Sequence, residues 1–355
     1  MSLPRAAETA SIVVMIATPL EPALVEQMRA VDPRLDVRFE SELLPPIRYP
    51  CDHRGVEGFA RDAASEARWH ELLAQAEVML GIPRESPLEL AATIPRAPKL
   101  RWLQAMYAGA GEQVRAASLD AQTLARVAFT SAAGIHAGML AEFVFFGVLA
   151  LRKDFRRLER LRAARFWDHY ASGELAGATI AIVGLGGIGR AIARLAQAFG
   201  MHVIGITRDG APRRECDQTF AWPALAEGFA RADVAAITLP ATPQSRGLVD
   251  RRALAALPPN AIVANVGRGH AIDQTALIEA LERGALAGAV LDVFEPEPLP
   301  PENPLWTMQN VVFSPHTMAL SVHENERIVA IFCENLRRYL AGEPLRNRID
   351  PETFV

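Results

Sequence analysis

Cysteine is scarce: Cys51, Cys216 and Cys333 lie far apart in a chain of 355 residues. An odd, scattered set builds neither a disulfide framework nor a CxxC metal site, so a reducing cytoplasm and no bound metal are expected. Long apolar runs are missing too. The longest, over residues 139–151, contains Glu142 and falls short of the roughly 20 residues a membrane-spanning helix needs, so a buried helix is expected there, with no membrane partner. Arg5 is followed by no apolar core of signal-peptide length before Glu8, Thr9 and Ser11, and no export signal is expected. Charge of one sign is also lacking. The net charge is −4 with both signs interspersed, which leaves no basic stripe for nucleic acid. An anionic ligand would have to be captured locally. There is no fixed-period repeat, no low-complexity tract, and no C-terminal regulatory extension is expected after the last helix.

What is abundant is apolar residue, half of the chain, enough at this length for the cores of two domains. Residues 11–18 (SIVVMIAT) read as a buried strand, and Pro19 leads into a helix over 21–29. Residues 44–58, rich in Pro, Arg, His and Gly with no regular period, read as an irregular excursion. A helix over 63–76 and strands over 78–81 and 100–105 follow, the last opening into the small-residue loop of Ala108, Gly109, Ala110 and Gly111. Beyond the apolar helix at 139–152, strands are expected at 179–183, 202–206, 234–239, 261–265, 288–292 and 311–313. Helices are expected between them at 188–199, 222–230, 251–256 and 273–283. Strands joined by helical crossovers predict an α/β chain with an open, doubly wound parallel sheet. A last helix, over 322–339, is placed to return to the N-terminal part and make the smaller domain discontinuous.

The first chemical motif is TIAIVGLGGIGRAIARLAQAFG, in which a strand runs into Gly184, Gly186, Gly187, Ile188 and Gly189 and then into a helix of apolar period 3.6. Gly184 permits a tight turn, Gly186 lets the backbone approach a pyrophosphate, and Gly189 lets the helix pack on the strand, the arrangement of a Rossmann-like domain. Anionic phosphates then face a helix N-terminus. An isolated glycine motif can be a turn that binds nothing; the flanking strand, helix and second strand make a dinucleotide site the stronger reading. The second strand, HVIGITRD, should end in an acid that binds the adenine ribose hydroxyls. Thr207 and Arg208 stand there instead, with Asp209 one place further on. An arginine at that edge suits a 2′-phosphate, so NADP(H) is favoured and NAD(H) remains open, as does an Arg208 that only stacks or faces solvent.

Three further segments carry polar groups at strand ends. In AIVANVGRGHAID, Arg268 follows a strand ending at Asn265, where its fork can grip a carboxylate by two parallel hydrogen bonds. In NVVFSPHTMAL, His316 ends the last strand, and imidazole is the side chain best suited to give or take a proton near neutrality. In AVLDVFEPEPLP, Asp292, Glu295 and Glu297 are acids that could hold that imidazole protonated, with Glu297 the candidate partner. Alone, each could be an ordinary loop residue; all three at strand ends of one sheet point to chemistry.

With GLGGIG at 184–189, LPATPQSRGL at 239–248, NVGRG at 265–269, LDVFEPEPLP at 291–300 and SPH at 314–316, the sequence resembles the D-isomer-specific 2-hydroxyacid dehydrogenase family over about residues 100–341. The resemblance implies two Rossmann-like domains, residues 1–129 with 318–355 holding the substrate and 130–317 the dinucleotide, with hinges near Thr130 and His316. It implies Arg268 on the substrate carboxylate, His316 as acid/base, and Glu297 rather than Glu295 as its partner. It also places Asp292 by the nicotinamide, Asn265, Pro240 and Thr242 along the cofactor, and backbone amides of Ala108 and Gly109 on the substrate carboxylate. The helix at 139–152 would contribute to a homodimer. The implied reaction is hydride transfer between NAD(P)H and a small 2-keto or 2-hydroxy acid of the glyoxylate or hydroxypyruvate kind. A dinucleotide-sensing, corepressor-like module on the same fold is the alternative. Formate oxidation is disfavoured, because Glu297 stands where formate dehydrogenases carry Gln, and residues 44–61 do not match better-known members.

Overall fold

The structure is a computed structural model that describes residues 11–354; Arg5, Glu8 and Thr9, on which the reading of the N-terminus rests, lie outside the described residues. The chain divides into two compact units: the described residues up to Ile135 with those from Leu320 onward, and His136–Ala319.

The first unit is built on β1 (Ile12–Ile16), β2 (Leu35–Arg38), β3 (Val78–Leu80), β4 (Trp102–Gln104) and β5 (Ala128–Thr130). They form one sheet in the order β2-β1-β3-β4-β5, with every pair parallel. A parallel sheet must be covered on both faces, and β1 obeys: Ile12, Val14 and Ile16 enter one apolar cluster and Met15 the other. The C-terminal helix Glu324–Ala341 belongs to this unit, burying Ile328, Val329, Phe332 and Leu336 in the cluster of Val14 and Trp102. The Phe332 and Trp102 rings lie 4.9 Å apart. This unit is therefore discontinuous in sequence. Its β2 and β5 escape the hydrophobic pattern, the first because LDVR carries charge on an edge strand, the second because it has only three residues. Between the 3₁₀ turn Ser41–Leu43 and the helix Ala63–Gln75 the excursion has no regular element.

The second unit holds β6 (Thr179–Val183), β7 (His202–Thr207), β8 (Gln218–Ala221), β9 (Val234–Ile237), β10 (Ile262–Asn265), β11 (Gly288–Leu291) and β12 (Val311–Phe313). The order is β12-β11-β10-β9-β6-β7-β8, again wholly parallel. That is one strand more than expected: QTFA of β8 is a polar edge strand with no apolar run. Alternate residues of β6 feed opposite clusters, Ala181 and Val183 on one face, Ile180 and Ile182 on the other. The helix Ala137–Arg152 lies against this sheet so closely that a Cβ on Gly147 would come within 2.5 Å of Val290. The helix that follows, Phe155–Ala164, buries none of its residues. Among the described residues, no helix is long and apolar enough to cross a membrane.

Candidate active site

Strand order fixes where the site is. Because all strands of the second unit are parallel, their carboxyl ends share one edge, and the winding reverses between β6 and β9, where a crevice opens. The glycine turn leaves β6 at that point. Gly184 has φ +96°, a conformation that a side chain would strain, and its carbonyl accepts a hydrogen bond from Thr238 Oγ1 at 2.7 Å. A Cβ on Gly189 would lie 2.0 Å from the Gly184 oxygen, so this position must be bare for the helix to approach. Gly186 differs: a Cβ there would project into open space, and as N-cap of the helix Gly187–Ala198 it provides no side-chain cap. First-turn amides and clear space in front of them fit a dinucleotide pyrophosphate. Gly186 and Gly187 are exposed, whereas the Ile188 side chain packs partly into the core, leaving its backbone for a ligand.

At the end of β7, Thr207 is buried and its Oγ1 donates to Asp209 Oδ1 at 2.9 Å. Asp209 is also gripped by Arg213, with Nη2 2.9 Å from each carboxylate oxygen, and this pairing holds the acid at about 2. The acid that follows the strand end is thus committed to its own loop. Arg208 is exposed, with its guanidinium carbon 5.4 Å from the centre of the Trp222 ring. After β9, Pro240 is exposed and Thr242 half-buried; both are tied to Ser245, a fully buried residue the sequence reading passed over. Ser245 Oγ donates to the Pro240 carbonyl at 2.7 Å and accepts from the Thr242 amide at 3.0 Å.

Beyond β10, Asn265 is buried, and its side chain turns to its own loop: Oδ1 accepts from the Gly267 amide (3.1 Å) and Nδ2 donates to the Arg268 carbonyl (3.0 Å). The loop is squeezed, since a Cβ on Gly269 would overlap the Phe294 carbonyl. Arg268, at its head, donates from Nη1 to the Gly267 carbonyl at 2.9 Å. After β11, buried Asp292 accepts through Oδ1 from Ser314 Oγ and from the amides of Thr317 (3.1 Å) and Met318 (3.2 Å). These bonds embrace His316, whose φ is +53°.

His316 Nδ1 donates to Glu297 Oε2 at 2.8 Å, and Glu297 Oε1 accepts from the Phe294 amide at 2.8 Å. Glu295 goes elsewhere, 3.7 Å from Arg246, so the structure pairs Glu297 with the imidazole. The bond to Glu297 raises the His316 pKa above its ordinary value, outweighing burial and the Arg268 charge. Burial pushes Glu297 up, but the bonds from His316 and Phe294 and the nearby positive charges bring it below the ordinary value. With Nδ1 committed to the carboxylate, Nε2 is the nitrogen left to carry a proton to a ligand.

Ala108 and Gly109 lie in the first unit, in the turn before the helix Ala110–Ala116. That unit gathers further polar groups, among them His53, Arg48 and Tyr107, which the sequence offers as possible pocket residues. Buried His53 contacts Thr18 Oγ1 through Nδ1 at 3.1 Å, Arg48 makes a two-pronged pair with buried Asp52, and the Tyr107 hydroxyl is buried without a hydrogen-bond partner. Burial pushes Glu85 up to about 7, and both Arg84 and Glu85 are left-handed. Among the described residues no group of three or more His, Cys, Asp or Glu side chains is arranged to hold a metal ion.

Residues 145–318 match the family described as D-isomer specific 2-hydroxyacid dehydrogenase, NAD binding domain. The chain is 30% identical over 270 residues to a glyoxylate reductase of Aeropyrum pernix, covering 73% of this chain and 79% of that one. It is 31% identical over 287 residues to D-3-phosphoglycerate dehydrogenase of Mycobacterium leprae, covering 78% of this chain but 53% of the relative, about half its length. Among solved structures, it is similar to a D-isomer specific 2-hydroxyacid dehydrogenase from Xanthobacter autotrophicus Py2 in complex with NADPH and MES. That comparison has 30% identity and a TM-score of 0.73, covering 98% of this chain and 100% of the other.

Proposed function

The chain belongs to the D-isomer specific 2-hydroxyacid dehydrogenase family, NAD(P)-dependent oxidoreductases, and from that premise we propose that it reduces a small 2-keto acid of the glyoxylate or hydroxypyruvate kind. The observation that carries this reading is the His316–Glu297 pair at the same sheet edge as Arg268 and the glycine turn. When bound at that turn, a nicotinamide dinucleotide supplies the hydride. Arg268 holds the substrate carboxylate through its planar fork and draws charge from the adjoining carbonyl. His316 gives its Nε2 proton to the carbonyl oxygen as the alcohol forms, and Glu297 stabilises the imidazolium beforehand. Asp292 and Asn265 support this reading from behind, by bracing the segments that bear His316 and Arg268.

NADP(H) is the favoured cofactor: Arg208 stands at the end of β7, and the competing acid, Asp209, is neutralised by Arg213. Pro240, Thr242 and the amides of Gly186, Gly187 and Ile188 line its path. The protein works as a homodimer, supported by the unburied helix Phe155–Ala164 and by Phe146, Phe155 and Trp167, which are 59%, 50% and 87% exposed. Its three cysteines are free, which suits the cytoplasm.

The test is dinucleotide oxidation with NADPH and NADH against glyoxylate, hydroxypyruvate, pyruvate and phenylpyruvate. Turnover of at least one acid, faster with NADPH, is expected. An inert panel with a dinucleotide that still binds would turn the reading toward a sensing module.

A further inference from the structure

A cavity of about 460 Å³ lies in the first unit, between the loop after β1 and the excursion, and none of its lining residues has been given a catalytic or cofactor role. That volume is in the range of small-molecule pockets, roughly 300–1,000 Å³. Leu20, Phe39, Leu44, Pro45 and Ile47 give it apolar walls, and neither lysine nor arginine lines it.

Acceptors outnumber donors among its polar groups: the Cys51 thiol is given to the Ser321 carbonyl, and the Ser41 hydroxyl is a further side-chain donor in the lining besides the Asn325 amide. Asn325 lines the cavity and is only 4% exposed; its Nδ2 donates to Glu21 Oε2 at 2.8 Å, but its Oδ1 is buried with no hydrogen-bond partner. A buried acceptor left unmet costs about 1–3 kcal/mol, so a native site that keeps one is missing its donor. The carboxylates of Glu21 and Glu42 share the lining. Asp52 lines it too, but its oxygens are taken up by Arg48 and the Gly55 amide. What remains is the Asn325 amide oxygen, the Glu42 carboxylate and the other oxygen of Glu21, beside the Ser41 hydroxyl, around an apolar hollow.

That donor deficit selects the ligand. A carboxylate or phosphate would bring more acceptors and a repelled charge. A hydroxyl has one hydrogen to give, whereas a primary ammonium has three and a compensating charge. We propose that this cavity binds a small primary-ammonium compound with a compact apolar body, its nitrogen held by Asn325 Oδ1, Glu21 and Glu42. Its lining shares no residue with those that carry the dehydrogenase reading, so the assignment stands or falls independently of it.

The probe is 2-phenylethylammonium chloride, titrated calorimetrically at pH 7 into the full-length protein. Phenylacetate and 2-phenylethanol serve as controls with the same body. Saturable binding of the ammonium is expected, with both controls weaker by about tenfold or more, the value of one charge-assisted hydrogen bond. Glu42→Lys, at an exposed position, and Glu21→Gln should weaken it by about tenfold each while the thermal melt stays put. Asn325→Leu should do the same, and if that variant does not fold the two glutamate variants decide. Failure of the ammonium to bind, binding of phenylethanol as tight as the ammonium, or unchanged affinity in Glu42→Lys would each overturn the assignment.

Discussion

His316 is held in a left-handed backbone conformation that costs a residue with a Cβ about 1–3 kcal/mol. Asp292 offsets that strain by taking the two amides that follow His316, and the imidazole is kept against Glu297. The pair sets a pH window. His316 is raised above its ordinary 6.5 and Glu297 lies below its ordinary 4.5. The ion pair is thus complete between the two values; its stabilisation is lost as pH rises through the His316 pKa or falls through that of Glu297. Both side chains are more than a third exposed, so solvent screening keeps the contribution to folding small. The catalytic consequence is larger. In the proposed reduction the imidazolium is the proton donor, so kcat/KM should fall on the alkaline side at the His316 pKa, and Glu297→Gln should move that limb to lower pH. A pH–rate profile measures it; an unmoved limb would separate Glu297 from the proton. The proposed role of Arg208 lies with the cofactor instead. Arg208→Ala should raise the KM for NADPH by roughly tenfold and leave that for NADH nearly unchanged. An equal loss for both dinucleotides would remove Arg208 from discrimination.

The glycine turn shows how one element can carry two separable demands. Gly189 is bare because the chain comes too close, whereas a Cβ on Gly186 would meet nothing, and there the proposed dinucleotide is the reason for glycine. Gly189→Val should therefore lower the melting temperature, at an overpacking cost of about 1–3 kcal/mol. Gly186→Val should melt like the wild type yet lose NADPH binding in a fluorescence titration. The turn was legible from sequence because its residues are contiguous and bracketed by a strand and a helix of clear period. The position of Arg268, Glu297 and His316 beyond strand ends was legible because each follows a recognisable strand, although choosing Glu297 over Glu295 as the partner of His316 took family spacing, and geometry pairs the two. Ser245 was not legible: a lone serine in a loop gives no pattern until its oxygen is seen tying Pro240 to Thr242. Nor were β2, β5 and β8 or the helix Phe155–Ala164, since short edge strands and an unburied helix lack the apolar rhythm that betrays an element. Asn265 was read as a cofactor contact, but its side-chain bonds run to the Arg268 loop.

For the whole molecule, the unburied helix Phe155–Ala164 makes assembly the natural expectation. Phe155→Glu combined with Trp167→Glu should shift sedimentation from dimer to monomer without lowering secondary-structure content. A wild type that sediments as a monomer would contradict the dimer. The proposed function requires a dinucleotide turn, a carboxylate grip and a proton donor, all of which the second unit carries at the carboxyl edge of its sheet. The most direct test is the steady-state rate of NADPH-dependent glyoxylate reduction by wild type and by His316→Ala, at a pH below the His316 pKa. A fall in kcat of roughly 10²–10⁴-fold with NADPH affinity retained is predicted. A variant that turns over as fast as the wild type would contradict the assignment of His316 as the acid.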